Sequence, residues 1–427
     1  MAIEKQPSCE DESEPELLPV EVALERISTQ ITPLCDNQHV PLRQSLGRVV
    51  AQPVQSPINV PAYTNSAMDG YAVSSADLPS SGEKSLQVIG TAWAGRPLDT
   101  GVKQGQAVRI MTGGKMPEGT DTVVIQEHAD ATVSGDKIVS VRIDGSTEAG
   151  RNVRQAGEDI KTGDTIIAVG ELITPAHVGL IASLGIDSVV VFRKLKVAFF
   201  STGDELRALE TYAGQALGPG EIFDSNRHTL FAMLQRLGVE LIDLGVVPDT
   251  ADDTRQALLD AAQSADVIIS SGGVSAGQAD FVSKTLADIG VVTFWKLAMR
   301  PGRPLACGKV NNAHFFGLPG NPVAVMVTFY EFVQPAIKRM MGCTVTSTPL
   351  FKVVSAGRIR KIPGRVEYQR GIMSHEDGQM VVRTTGKQGA GRLTSMCLAN
   401  CLIVLPVECD GVDVGDMVDV QPFDGLM

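Results

Sequence analysis

Residues 265–304 read ADVIISSGGVSAGQADFVSKTLADIGVVTFWKLAMRPGRP, and this stretch decides the architecture. Val267-Ile268-Ile269 is a β-branched run between polar residues, the pattern of a short buried strand. Ser270-Ser271-Gly272-Gly273-Val274-Ser275-Ala276-Gly277 follows, where glycines let the backbone turn tightly and aim several N–H groups at one point. A helix is expected over 280–289, then a second strand at Val291–Trp295. Lys296, Arg300 and Arg303 come next, spaced by Pro301, Gly302 and Pro304. A glycine loop at a strand end, followed by fixed positive charges, suits an anionic or phosphorylated ligand.

Outward from this stretch the same rhythm continues over 191–343. A strand at 197–200 runs into Ser201-Thr202-Gly203-Asp204-Glu205, and a strand at 240–247 meets Pro248-Asp249. Asp224-Ser225-Asn226 precedes a helix whose Leu230, Met233, Leu234 and Leu237 share a face. Segments 305–310 and 313–317 form a hairpin across Asn311-Asn312, and Gly317-Leu318-Pro319-Gly320-Asn321-Pro322 opens another helix. Alternating strands and helices predict a doubly wound α/β domain with a mostly parallel sheet.

The flanking text differs. Residues 1–16 are acidic with few apolar groups and are expected to be a disordered arm. A helix over about 19–29 should place Val22, Leu24 and Ile27 on one face. Segments 17–55 and 150–190 read as one discontinuous linker domain, 56–149 as a small β-rich domain, and 344–427 as a C-terminal β-barrel. The fold class is therefore multidomain, α/β and β.

Composition narrows the function. A length of 427 residues is too much for one ordinary core. The net charge of −12 argues against a nucleic-acid-binding surface, although a local basic cluster remains compatible with an anionic ligand. No apolar run suits a membrane span and no signal-peptide pattern opens the chain, so a cytoplasmic location without membrane attachment is expected. Seven cysteines without a C-x-x-C pair fit a reducing compartment.

In open α/β sheets ligands sit outside the carboxyl ends of the strands. The loops STGDE, VPD, SSGGVSAG and GLPGNP should therefore share one edge, bringing Asp204, Glu205, Asp249 and Asp280 beside a phosphate cradle. Carboxylates there make sense if Mg²⁺ bridges them to phosphate. Each part also has a plainer reading: a glycine after a strand as a simple turn, Asp249 and Asp252 as helix caps, and the three cations as a solvated face. No G-x-x-x-x-G-K-[ST], no G-x-G-x-x-G opening a helix, no histidine set with metal spacing and no serine nucleophile elbow occur.

Seven motifs in order carry a family resemblance: Asn65-Ser66-Ala67-Met68-Asp69-Gly70-Tyr71-Ala72, Met111-Thr112-Gly113, Gly157-Glu158-Asp159-Ile160, Ser201-Thr202-Gly203-Asp204-Glu205-Leu206, Ser270-Ser271-Gly272-Gly273-Val274-Ser275, Phe294-Trp295-Lys296 and Leu318-Pro319-Gly320-Asn321-Pro322. From about residue 17 to the end the chain resembles the MoeA family of molybdopterin molybdenumtransferases, which includes the C-terminal domain of gephyrin. The resemblance implies an elongated four-domain homodimer that takes adenylylated molybdopterin and molybdate, releases AMP and inserts molybdenum with the help of Mg²⁺. It implies catalytic roles for Asp69, Thr112, Arg154, Asp159, Glu205, Asp249, Asp280, Lys296, Arg300 and Arg370, with Glu205, Asp249 and Asp280 holding the metal. Ligand contacts are implied for Ser201, Thr202 and Gly203, for Ser271, Gly272, Gly273, Val274 and Ser275, and for Arg303, Pro319, Gly320 and Asn321. The cleft is implied to join the α/β domain of one protomer to the β-rich domain of the other. Molybdopterin adenylyltransferase and molybdoenzyme-maturation proteins are possible further partners, and none is a nucleic acid. Arg300 and Arg303 stand where related sequences often have Lys, and Ala390 stands where Ser is expected. Two alternatives stay open: the adenylyltransferase that makes the substrate, and a non-catalytic gephyrin-like scaffold.

Overall fold

The computed structural model describes residues 17–212, 214–273, 281–344 and 349–423. The acidic arm expected over 1–16 lies outside the described residues, as do Val274, Ser275 and Asp280.

Strand Lys196–Thr202 lies inside a six-stranded sheet, with Glu240–Val247 parallel to it on one side and Val267–Ser271 parallel on the other. Ala313–Leu318 continues in parallel next to Val267–Ser271. Pro304–Val310 then runs antiparallel, and Gly290–Lys296 pairs antiparallel with it. Two reversals restore the direction, so the carboxyl end of Gly290–Lys296 lies on the same edge as those of the four parallel strands. The hairpin turns at Asn311, whose φ of 52° is left-handed, a conformation asparagine tolerates.

Period-two alternation explains why the central strands read as unbroken apolar runs. Val197, Phe199, Ile269, Phe316 and Leu318 face one core, shared with helices Asn226–Arg236 and Pro322–Thr328. Ala198, Phe200, Ile268 and Phe315 face the other, shared with helices Ala251–Ser264 and Phe281–Ile289. Burying each of these phenylalanines stabilises the layers by about 1.5–3 kcal/mol. The sheet is thus doubly wound. Leu230, Met233 and Leu234 are buried as their spacing predicts, while Leu237 is only partly covered.

Helix Val20–Gln30 buries Val20, Ala23 and Ile27, a seam displaced from the expected Val22-Leu24-Ile27 face. Its side chains join the core of the α/β layer, and Leu18 donates its N–H to the Lys296 carbonyl at 2.8 Å. Asn37–Pro41 pairs with Ser188–Phe192, and Val54–Gln55 with Thr165–Ile167. Between those segments lies a second six-stranded sheet, in which Gly70–Val73 sits between Thr122–Ile125 and Gln106–Ile110. Helix Pro175–Ser183 starts at Thr174, whose side chain accepts the His177 N–H.

The last region closes on itself. Val366–Glu376 pairs with Gln379–Thr384, that strand with Phe351–Ser355, then Met417–Pro422, then Cys401–Leu405, which returns to Val366–Glu376. Closure removes the exposed sheet edges and makes the expected barrel. Met299–Arg300 pairs in parallel with Val366–Glu367, so the barrel is attached beside the cationic turn.

Candidate functional site

The carboxyl edge of the central sheet carries a cavity of about 360 Å³. Thr202, Gly203, Glu205, Asp249, Ser271 and Gly272 line it, with Gly273, Pro319 and Gly320 completing the ring of loops. Two glycines are required by geometry. Gly272 has φ of 90°, and a Cβ there would stand 2.5 Å from the Thr202 carbonyl oxygen. Gly273 has φ of 67°, and a Cβ would stand 2.4 Å from Val282 Cγ2. Gly272 and Gly273 therefore pack too closely against Thr202 and Val282 to admit a side chain, which keeps the backbone at the cavity wall.

Asp249 does not cap the helix after it. Thr250 does, accepting the Asp253 N–H at 3.2 Å, and this leaves the Asp249 carboxylate to accept a long 3.5 Å hydrogen bond from Thr202 Oγ1. Burial pushes the Asp249 carboxyl up, and the negative charges of Asp204 and Glu205 push the same way, against the Thr202 hydrogen bond. Ser201 is buried beneath the cavity, where its hydroxyl donates to Asp224 Oδ1 at 3.1 Å.

Cationic side chains adjoin this edge. Lys296 is in register with Pro304, which itself lines the 360 Å³ cavity. Beyond it a larger cavity of about 1000 Å³ contains Arg300 and Arg370. Arg370 is 1% exposed, and its guanidinium donates to Ser395 Oγ at 3.1 Å and to the Tyr368 carbonyl at 3.3 Å. Burial and then the charge of Arg300 pull Arg370 down to about 10, with Glu367 opposing. Arg358, Arg360, Glu367, Asp410, Asp413 and Asp416 also line this cavity, and Arg300 Nη1 lies 3.6 Å from Glu367 Oε1, so its wall carries both signs of charge. Ala390 accepts the Val323 N–H through its carbonyl at 3.0 Å, so the loop missing the expected serine is docked by its backbone against the Asn321 turn.

Asp69, Thr112, Arg154 and Asp159 stand outside the lining of the 360 Å³ cavity, and of these only Asp69 and Thr112 hydrogen-bond each other among the described contacts. Asp69 Oδ1 accepts the Thr112 N–H at 2.7 Å and the Thr112 hydroxyl at 2.8 Å. These two bonds hold the Asp69 carboxyl below its usual range, with Arg109 adding to the effect. Arg154 is in register with Asn65, and Asp159 donates its N–H to the Val60 carbonyl at 3.0 Å.

Sequence reasoning missed Asp224 and Asn226 as parts of the site. Both line the small cavity, and Asn226 Nδ2 donates to Ser271 Oγ at 2.9 Å and to the Gly320 carbonyl at 2.7 Å, tying two loops together. The run Asp-Ser-Asn before a helix reads as a capping signature, which masks this role. Arg227 beside it bridges Asp243 at 2.8 Å and Glu210 at 2.6 Å, fixing the start of that helix.

A doubly wound sheet with glycine loops, carboxylates and cations at its carboxyl edge, joined to a barrel, defines a multidomain α/β protein. Residues 18–185 match the family described as MoeA N-terminal region (domain I and II), residues 198–339 the probable molybdopterin binding domain, and residues 352–423 the MoeA C-terminal region (domain IV). The chain is 40% identical over 413 residues to a molybdopterin molybdenumtransferase of Haemophilus influenzae, covering 96% of this chain and 100% of the relative. It is 31% identical over 455 residues to gephyrin of Dictyostelium discoideum, covering 94% of this chain and 62% of that protein. The crystal structure of the molybdopterin biosynthesis moeA protein from Pyrococcus horikoshii superposes with a TM-score of 0.81 at 27% identity, covering 95% of this chain and 100% of the other. The chain belongs to the MoeA family.

Proposed function

We propose that the chain transfers molybdenum from molybdate to adenylylated molybdopterin, with cleavage of the phosphoanhydride and release of AMP. The convergence of glycine loops and carboxylates on one sheet edge, next to cationic side chains, carries this reading. The loops at Gly203, Gly272–Gly273 and Gly320 hold the phosphates. Lys296 and Arg300 hold the molybdate oxyanion, Arg303 contacts the pterin substrate, and Arg370 adds a guanidinium that Ser395 and Tyr368 keep oriented.

Mg²⁺ is proposed at this edge, although among the described residues no three metal-binding side chains stand together. Hard oxygen ligands suit it; burial is the larger cause of the rise in Asp249, and the repulsion of Asp204 and Glu205 that adds to it is what a bound cation would relieve. Glu205 and Asp249 are its proposed ligands, with Asp280 as a third. When bound, it supplies charge neutralisation at the phosphoanhydride. The chain's own residues orient the pterin phosphate against the loops and keep the oxyanion beside it, which lowers the entropic part of the barrier.

Asp69, Thr112, Arg154 and Asp159 act in the same reaction from a second copy of the chain, whose β-rich region faces this cavity in a homodimer. The proposed domain limits are those of the sequence reading: linker 17–55 with 150–190, β-rich 56–149, α/β 191–343 and barrel 344–427. A cytoplasmic site of action is part of the same proposal, and among the described residues no helix is long and apolar enough to cross a membrane. The test is AMP release on incubation with adenylylated molybdopterin, molybdate and Mg²⁺. AMP release that requires molybdate supports the reading, and a protein that binds the pterin without releasing AMP overturns it.

A further inference from the structure

We infer that a cavity at the opposite edge of the central sheet binds a small organic anion with an apolar body. The cavity measures about 590 Å³ and lies between residues 44–48, which precede the β-rich region, and helices of the α/β layer. Lys194 and Gly238, which line it, stand just before the strands Lys196–Thr202 and Glu240–Val247. It is therefore at the amino ends of strands whose carboxyl ends carry the candidate site.

Its lining has one sign of charge. Arg48, Lys194, Arg236 and Lys338 contribute to the wall, and no Asp or Glu is among the described lining residues. That is notable in a chain with 49 acidic and 37 basic residues. Arg48 is 9% exposed and donates to the Phe192 carbonyl at 2.7 Å; with the Gln38 side-chain amide turned so that its oxygen faces Arg48, that oxygen accepts at 2.6 and 2.9 Å, and both acceptors are neutral. Burial lowers Arg48 with no carboxylate acting against it. Buried charges are ordinarily paired, so an anion in the cavity would give the Arg48 guanidinium a charged partner in place of neutral dipoles. The charge of Lys338 acts on the Cys343 thiol and that of Arg236 on the Tyr330 hydroxyl, and both of those groups belong to the same wall.

The remaining wall sets the ligand class. Leu46, Met233, Leu237 and Met341 are apolar, and Leu46 is 57% exposed. An inorganic anion would leave that surface wet, whereas a carboxylate, sulfonate or phosphate on an aromatic or aliphatic body covers both halves. The volume is within the range of small-molecule sites, about 300–1,000 Å³, and such sites combine apolar walls with a few charged groups.

The test uses the full chain and two fluorescent probes, anionic 8-anilinonaphthalene-1-sulfonate and its uncharged analogue N-phenyl-1-naphthylamine. Saturable binding of the sulfonate is expected, with the uncharged analogue weaker by tenfold or more. Lys194→Glu should weaken sulfonate binding by about tenfold, and Gln44→Glu, which adds a carboxylate at an exposed rim position, by about threefold to fivefold. Both positions are on the surface, and unchanged melting temperatures confirm folding. Absence of saturable sulfonate binding, equal binding of the two probes, or unchanged affinity in both folded variants overturns the inference.

Discussion

Glu331 offers the sharpest test of the packing between the barrel and the α/β layer. Its residue is partly covered, but its Oε1 is fully enclosed and without a hydrogen-bond partner among the described residues, with Tyr368 and Gln421 as polar neighbours of the carboxyl group. Burial pushes the Glu331 carboxyl up to about 7 from an ordinary 4.5, against the opposing influence of those two neighbours. In the unfolded chain the group ionises at its ordinary value, so the folded state binds the extra proton between these two values. Stability from this group is therefore greatest at low pH and falls as pH rises from about 4.5 to about 7. The full interval corresponds to about 3 kcal/mol, and partial solvent contact reduces the expected effect to about 1–2 kcal/mol. Glu331→Gln keeps the shape and removes the ionisation. Urea unfolding of both proteins at pH 5, 6, 7 and 8 should give similar stability at pH 5 and a variant more stable by about 1–2 kcal/mol at pH 8. Parallel stability curves across that range would refute the reasoning.

Three further outcomes are expected. Gly272→Ala should destabilise the fold by about 2 kcal/mol or more, since its φ of 90° and the 2.5 Å approach to the Thr202 carbonyl leave no room for a methyl group, as thermal unfolding will show. Lys296→Ala should raise the molybdate concentration needed for half-maximal insertion while leaving pterin binding largely intact; an unchanged molybdate dependence would place the oxyanion elsewhere. Asp69→Ala and Glu205→Ala should each be inactive alone, but refolded together, with subunit exchange confirmed by mass tagging, they should recover activity in about a quarter of all pockets. Exchange without recovery would mean that each pocket is built within one chain.

The sheet was legible because strands such as Val197–Phe200 are buried on both faces and stand out as apolar runs, and because Gly-rich loops mark their ends. The loops' convergence then followed from parallel pairing. Other features left no local trace. The cavity shared by Arg300 and Arg370 depends on Met299–Arg300 pairing with Val366–Glu367, a contact between distant segments that no periodicity announces. Arg370 itself is a lone cation in a strand, and only the family resemblance singled it out. The first helix was placed correctly but its face was not, because its seam uses Ala23, whose small side chain is a weak signal beside Val22 and Leu24. Asn226 was hidden by its resemblance to a cap. The carboxylate beside it in the cavity, Asp224, was hidden by the same three-residue run.

The central claim is transfer of molybdenum coupled to cleavage of the adenylylated pterin, and its most direct test is stoichiometry in a single reaction. Purified protein is incubated with adenylylated molybdopterin, molybdate and Mg²⁺, released AMP is quantified by chromatography, and molybdenum bound to the pterin is quantified by mass spectrometry of the same sample. The account predicts one molybdenum inserted for each AMP released, with both falling together when molybdate is withheld. AMP release that continues at full rate without molybdate, or that leaves the pterin free of molybdenum, would contradict it.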